Sequence, residues 1–428
     1  MFEYNIKQEV ILPRIKIEGN NKLSGKITIS GAKNSAVALI PAAILCDEEV
    51  ILENVPNITD VDDLENILCS LKSNVIRNGD VVIINNNNLE NNKITHELSK
   101  KLRASYYFMG ALLGKFKYVD MYFPGGCSIG ARPINIHLKG FEALGADITE
   151  EDNHFIIKAD DLVGNKIDLD FPSVGATINI MLAATKARGV TVINNAAREP
   201  EIVNVALFLN EMGAMISGAG TDTITIQGVK YLHSAVHKVI PDRIEAGTYL
   251  IIASLLGENL TIDNLDPIHI KSLTDLLIKS GVNMNINDTS IVINNVGNYK
   301  SFDVETNVYP GFPTDLQQVV TTFLTQCDGE AKIVENIYEN RFQNVEYLNK
   351  MGANIIVSDN NKEAIVKGKT KLIGKEVKAT DLRGGASLLI AGLIADGMTY
   401  ISDISYILRG YDNIVEKLQN VGAKIELI

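Results

Sequence analysis

Residues 123–133 read FPGGCSIGARP and place Cys127 among three glycines and two prolines. A thiol in so glycine-rich a stretch is expected to be exposed rather than packed. Arg132, five residues on, would favour its thiolate, and His137 is a second candidate for that role. Such a cysteine suits a nucleophile or a general acid, and glycines at 125, 126 and 130 would let its loop open and close over a substrate. The bland alternative is an incidental loop cysteine. Cys46, Cys69 and Cys327 lie in apolar runs and are expected to be small buried hydrophobes.

A second set of chemically able residues recurs at the starts of apolar segments: Lys33 and Asn34, Arg103, Asp242 and Arg243, Asp315, then Asp381 and Arg383. Aspartate there reads as a helix N-cap, which predicts Asp242, Asp315 and Asp381 as caps. Lysine and arginine oppose the helix dipole at such a place, so they point to a bound anion. Phosphate chemistry follows as the expectation, without a P-loop: no GxxxxGK[ST] occurs, and no His/Cys/carboxylate spacing indicates a metal.

The elements that must position these residues are repeated. A Gly-Ala phrase ends amphipathic segments at positions 145, 213, 281, 352 and 422, with a degenerate copy taken at Ser73, spaced by roughly 70 residues. In step with it, apolar segments begin at 31, 102, 174, 245, 314 and 383. Each of the six units reads as strand, helix, strand, helix and two strands (β-α-β-α-β-β). The first helix is apolar nearly all round and therefore buried; the second ends on a glycine C-cap. The sixth unit stops short at GAKIELI, and the alternating PRIKIEG at 13–19 is predicted to supply its last strand. Compact domains are expected; an open six-repeat solenoid would need no such closure.

Bulk properties exclude several classes. A chain of 428 residues, 46% hydrophobic and 21% charged, reads as globular, with two or three domains. No basic-then-apolar leader opens it, and the 12-residue run Ser35–Cys46 is too short to span a bilayer. Four unevenly spaced cysteines suit a reducing cytoplasm. A net charge of −12 argues against broad nucleic-acid binding and leaves an anionic small substrate open. INNNNLENN at 84–92 reads as compositional bias in a surface loop.

GAKNSA (31–36), PGGCSIGARP (124–133), SVGAT (173–177), AAREPEI (196–202), PDRIEAGT (241–248), GFPTDLQ (311–317), ENRF (339–342), ATDLRGGASL (379–388) and RGY (409–411) carry a family resemblance. In order and spacing the chain resembles the bacterial UDP-N-acetylglucosamine 1-carboxyvinyltransferases, the MurA type of enolpyruvyl transferase, from about residue 14 to the C-terminus. The resemblance implies a two-domain inside-out α/β barrel, with three units in 34–240 and three in 1–33 plus 241–428, and a site in the cleft between them. It implies transfer of the enolpyruvyl group of phosphoenolpyruvate to the 3-hydroxyl of UDP-N-acetylglucosamine with release of phosphate, by addition and elimination through a tetrahedral ketal. This reaction opens peptidoglycan synthesis in the cytoplasm. No cofactor, metal, nucleic acid or membrane is implied, and a monomer is the expected state.

By match to the family's motifs, Cys127 would be the general acid and the target of the epoxide fosfomycin, and Asp315 the base at the sugar hydroxyl. Lys33, Arg132 and Arg409 would hold the phosphate; Arg341 and Arg383 would hold the carboxylate. Asn34 and Asp381 would line the reacting centre. Arg103, Pro133, Ile134, Asn135, His137, Ser173, Val174, Gly175, Arg243 and Ile337 complete the implied substrate-binding set. Asn135 stands where many relatives have Asp, Phe171–Pro172 precede SVGAT where others carry a basic residue, and the extension MFEYNIKQEVILP has no assigned role. The sister enzyme 3-phosphoshikimate 1-carboxyvinyltransferase is the nearest alternative, and the PGGC loop discriminates against it. A catalytically silent, nucleotide-sugar-binding paralogue is the other.

Overall fold

The computed structural model describes residues 13–125, 134–152, 154–294 and 296–428. Cys127, Arg132, Pro133 and all but the last residue of the N-terminal extension lie outside the described residues.

Six helices follow from the six apolar segments: Lys33–Ala42, Tyr107–Phe116, Val174–Ala184, Arg243–Leu256, Thr314–Leu324 and Leu382–Ile394, called the first to sixth buried helices below. Past its first turn each is buried almost all round, as apolarity on every face requires. The second helix packs on the first and third, while the fourth, fifth and sixth pack on one another. Close packing of the second on the third needs a small residue: a Cβ on Gly110 would lie 2.3 Å from the carbonyl oxygen of Asn179. Asn179 Oδ1 instead accepts from the Gly110 amide at 2.8 Å.

Around these helices the strands among the described residues form a mixed α/β structure of five four-stranded sheets and one three-stranded sheet. Ile15–Glu18 lies between Met398–Ser402 and Lys424–Leu427, antiparallel to both, with Ile15 opposite Ile401 and Leu427. The two chain ends therefore share one sheet. Elsewhere two leading strands are exchanged. Leu23–Thr28, which precedes the first buried helix, pairs with Gly257–Asp263 after the fourth. Ala235–Lys238, which precedes the fourth, pairs with Glu49–Glu53 after the first. In the three-stranded sheet the leading strand is reduced to a single bridge, Ile94 to Met121.

Buried hydrophobic side chains fall into two clusters: one spans Ala32 to Val239, the other joins Ile15–Ile29 to Ile244–Ile425. The chain passes between them twice, side by side. The crossings are tied by a Gly31–Pro241 bridge, by Ala32 N donating to Ile240 O at 2.7 Å and by Asp242 N donating to Ser30 O at 2.9 Å.

Three sequence expectations are corrected. The helix-ending residue with positive φ in the first unit is Lys72 (φ 66°), not Ser73; it occupies the place of Gly145 (φ 94°), because the fold spaces the turn by hydrogen bonds and not by residue type. Cys69 is exposed: Val61, Leu64, Ile67 and Leu68 make the inward stripe of helix Thr59–Ser70, which turns Cys69 outward. Asn86, within the asparagine-rich stretch, is buried and donates to Ala43 O and Cys46 O at 2.9 and 3.2 Å, tying the end of the first buried helix.

Candidate active site

All six buried helices start at one cavity of about 590 Å³. Its lining includes Lys33 and Asn34 from the first, Tyr107 from the second, Val174 and Gly175 from the third, Arg243 from the fourth, Thr314 and Asp315 from the fifth, and Leu382 and Arg383 from the sixth. Each start presents backbone N–H groups that the helix itself cannot pair, and the positive end of a dipole. Arg103, His137, Ser173, Ile337, Arg341, Asp381 and Arg409 complete the part of the lining that the sequence named. Ile134 and Asn135 do not line it: Ile134 is the buried N-cap residue of helix Asn135–Ala143, and Asn135 is exposed at its first position.

The cations are paired with carboxylates, several of which sequence reasoning missed. Asp60 is buried and shared, with Oδ2 2.6 Å from Lys33 Nζ and Oδ1 accepting from Arg409 Nε at 2.8 Å. Burial lowers the pKa of Lys33, and the charge of Asp60 works against that fall. Glu201 takes Arg243 Nε at 2.9 Å. Asp315 accepts from Arg341 Nη2, and from Arg383 Nη2 at 3.2 Å. Glu199 also lines the cavity; burial raises its pKa, with the charge of Arg243 opposing that rise.

The three aspartates at helix starts divide. Asp242 accepts from the amides of Ile244 and Glu245 at 2.8 and 3.0 Å, and Asp381 from those of Arg383 and Gly384 at 3.0 and 3.1 Å. Both are caps. Asp315 is not: the N-cap is Pro313, so Asp315 falls on the second residue of its helix and turns to the two arginines. The expectation that anions alone explain the basic residues is likewise modified, since internal carboxylates already neutralise them.

His137 is buried at 5% exposure, and its pKa is lowered to about 3 by burial and then by the charge of Arg103. Asn179 Nδ2 donates to its Nδ1 at 2.8 Å, since Asn179 Oδ1 is occupied by the Gly110 amide. The ring is neutral at physiological pH and supplies no positive charge to a thiolate, which removes His137 from that role. It stands beside Tyr106, with ring centroids 5.0 Å apart, under Gly175. A Cβ on Gly175 would come 2.8 Å from Tyr106 Oη and 2.9 Å from His137 Cε1. Phe171 and Pro172 line the same wall. Among the described residues no group of three metal-ligating side chains comes together, and no helix is long and apolar enough to cross a membrane.

Comparison with known proteins agrees with this architecture. The family model described as EPSP synthase (3-phosphoshikimate 1-carboxyvinyltransferase) matches residues 17–418. The chain is 50% identical over 412 residues to UDP-N-acetylglucosamine 1-carboxyvinyltransferase 2 of Listeria monocytogenes, covering 96% of this chain and 97% of the relative. It is 50% identical over 415 residues to the protein of the same name from Bacillus cereus, covering 97% and 96%. Among solved structures, the enolpyruvyl transferase NikO from Streptomyces tendae superposes with a TM-score of 0.88 at 24% identity, covering 97% of this chain and 99% of that one. EPSP synthase from Acinetobacter baumannii superposes at 0.74 and 18% identity, covering 97% and 100%. At those identities the two structures speak for the fold alone.

Proposed function

The chain belongs to the UDP-N-acetylglucosamine 1-carboxyvinyltransferase family of enolpyruvyl transferases, and on that premise we propose that it transfers the enolpyruvyl group of phosphoenolpyruvate to the sugar 3-hydroxyl of UDP-N-acetylglucosamine, releasing phosphate. The observation that carries this reading is the meeting of Lys33, Arg243, Arg341, Arg383, Arg409 and Asp315 at the six helix starts around one cavity. Both substrates are polyanions, and the transfer needs a base at an alcohol. We read the six sheets with their helices as six copies of one unit. They form two bodies of three, 34–240 and 1–33 plus 241–428, in an inside-out barrel with the cavity in the cleft. Two small-molecule substrates, a monomer and a cytoplasmic setting complete the proposal.

In addition, the sugar oxygen bonds to C2 of phosphoenolpyruvate as its proton passes to Asp315, and the methylene carbon takes a proton from the Cys127 thiol. In elimination the methyl group returns a proton to the Cys127 thiolate as the C2–O bond to phosphate breaks, which forms the vinyl ether, and the leaving phosphate takes up the proton held by Asp315. Lys33, Arg132 and Arg409 hold the phosphate; Arg341 and Arg383 hold the substrate carboxylate. Asp315 is ion-paired with both of these arginines, in the place a substrate carboxylate would take. A bound carboxylate takes over the two guanidinium groups and frees Asp315 to accept the hydroxyl proton.

The test is phosphate release on mixing the protein with phosphoenolpyruvate and UDP-N-acetylglucosamine, beside a parallel reaction with shikimate 3-phosphate, each with and without fosfomycin. Release with the nucleotide sugar alone, abolished by fosfomycin, is the expected result. Release with shikimate 3-phosphate alone, or none from folded protein, would overturn the reading.

A further inference from the structure

The first buried helix carries one hydroxyl that its packing does not call for. Ser35 is fully buried and is followed only by apolar residues, AVALIPA. A buried helical serine ordinarily turns its hydroxyl back onto a carbonyl of the preceding turn. Here Oγ donates outward, at 2.7 Å, to Oδ1 of Asn204 on helix Pro200–Glu211. Asn204 Nδ2 faces His237 Nε2 at 2.8 Å, and His237 Nδ1 faces Glu211 Oε2 at 2.6 Å. Ser35, Asn204 and His237 are 0%, 2% and 6% exposed, whereas the Glu211 side chain is half exposed. The chain of hydrogen bonds thus runs from solvent, across a strand and two helices, to the turn that bears Lys33 and Asn34.

Its direction follows from which groups can donate. The Glu211 carboxylate only accepts, so Nδ1 of the imidazole carries a proton toward it, and Nε2, which faces the Asn204 amide nitrogen, is the accepting side. A bare Nε2 needs a donor, which turns the amide nitrogen of Asn204 toward it. The amide oxygen is then left facing Ser35, whose hydroxyl must donate. The Glu211 carboxylate thus sets the tautomer, and the backbone supports the same amide orientation, since Asn204 Nδ2 also donates to Lys238 O and Oδ1 also accepts from Ile240 N, both at 3.4 Å; that orientation makes the Ser35 hydroxyl the donor.

We propose that Ser35, Asn204 and His237 are positioning residues that set where the first turn of the first buried helix, and with it Lys33 and Asn34, stands at the reacting centre. That turn lacks a side-chain cap of its own, since its N-cap residue is Ala32. It is held from the other side by Asp242 Oδ2, which accepts from the Lys33 amide at 2.9 Å, and by Asn204 on Ser35. Asp242 and the Ala32–Ile240 bond hold the backbone that enters the turn, and the Ser35 bond adds a side-chain tie within the turn itself. Helix Pro200–Glu211 also begins beside Glu201, the partner of Arg243, so the relay joins the two helix starts through one rigid element. The inference rests on the function proposed above and adds residues that do not touch the cavity.

The test combines kinetics of Ser35→Ala, Asn204→Leu and the double variant with imidazole nitrogen NMR of the 15N-histidine protein. The His237 signal is assigned by its loss in His237→Gln. The expected result is a fall in kcat/KM for phosphoenolpyruvate of about 10-fold in each single variant and no more in the double. KM for UDP-N-acetylglucosamine should stay within about twofold. The unaltered protein should show a protonated Nδ1 and a bare Nε2 at His237. Equal rises in both KM values, multiplying losses in the double variant, or a proton on Nε2 would each overturn the proposal. If the unaltered protein shows no turnover, the reading of function fails. The tautomer, and its disturbance in Asn204→Leu, still decide the relay.

Discussion

His137 couples the stability of the fold to pH in a calculable way. Its pKa in the folded chain is about 3, against 6.5 for the free side chain, because the ring is buried against Tyr106 and Asn179. Between those values the unfolded chain binds a proton that the folded chain does not, so stability rises with pH through this window and falls as acid is added. With one unit worth about 1.4 kcal/mol, the contribution lost on going from pH 8 to pH 5 is about 2 kcal/mol, and it grows toward pH 3. The perturbation is His137→Gln, which keeps an acceptor for Asn179 and removes the titration. Urea unfolding of both proteins at pH 8 and pH 5 isolates the term, since every other titrating group is common to the two. The wild-type chain should lose about 2 kcal/mol more than the variant over that interval. Equal losses, or an NMR titration of His137 in the folded protein with a midpoint near 6.5, would refute the reasoning.

Three further outcomes are expected. Asp60→Asn removes the carboxylate shared by Lys33 and Arg409; kcat/KM for phosphoenolpyruvate should fall by roughly 100-fold, and an unchanged value would mean that Asp60 does not keep Lys33 charged. Asp315→Asn should reduce turnover by on the order of 10² to 10⁴ with little change in KM for the nucleotide sugar, as read by steady-state phosphate release. Gly110→Ala drives a methyl into the Asn179 backbone between two buried helices and should cost about 3 kcal/mol in urea unfolding, against about 1 kcal/mol at Gly79, where a Cβ meets nothing within 4 Å and only the left-handed φ of 63° opposes it.

What could be read in advance was local. The six buried helices were legible because apolarity on every face has one stable outcome, and Asp242 and Asp381 because a cap bonds to amides two and three residues away. Asp315 was misread by two positions: Pro313 takes the cap, and the carboxylate is left to respond to arginines far along the chain. Asp60 and Glu201 escaped notice for a related reason. Each sits in the first turn of an amphipathic helix, where an acid needs no explanation beyond the dipole, and only the fold brings it to Lys33 or Arg243. The exchange of Leu23–Thr28 and Ala235–Lys238 between sheets was hidden as well, because an alternating strand records which face is buried and not which neighbour it pairs with.

These non-local carboxylates explain how so positive a site can exist inside a chain of net charge −12. Six helix starts and six cations around a cavity of about 590 Å³ would repel one another strongly if nothing lay between them. Removing one of the lining cations from water is also costly unless it is paired. Asp60, Glu201 and Asp315 supply the pairing, but they do so differently. Asp60 is almost wholly buried between Lys33 and Arg409, and its charge opposes the fall in the Lys33 pKa that burial causes. Asp315 has a quarter of its side chain open to the cavity, and its two arginines are better satisfied by a ligand carboxylate that arrives with its own contacts. On the mechanism proposed above, the first kind of pair keeps the site charged, while the second is exchanged for the substrate carboxylate and releases Asp315 beside the substrate. In that mechanism a base uncovered by the substrate carboxylate that takes its arginines need not be poised beforehand, so the pairing of Asp315 with Arg341 and Arg383 is compatible with its accepting a proton in the reaction.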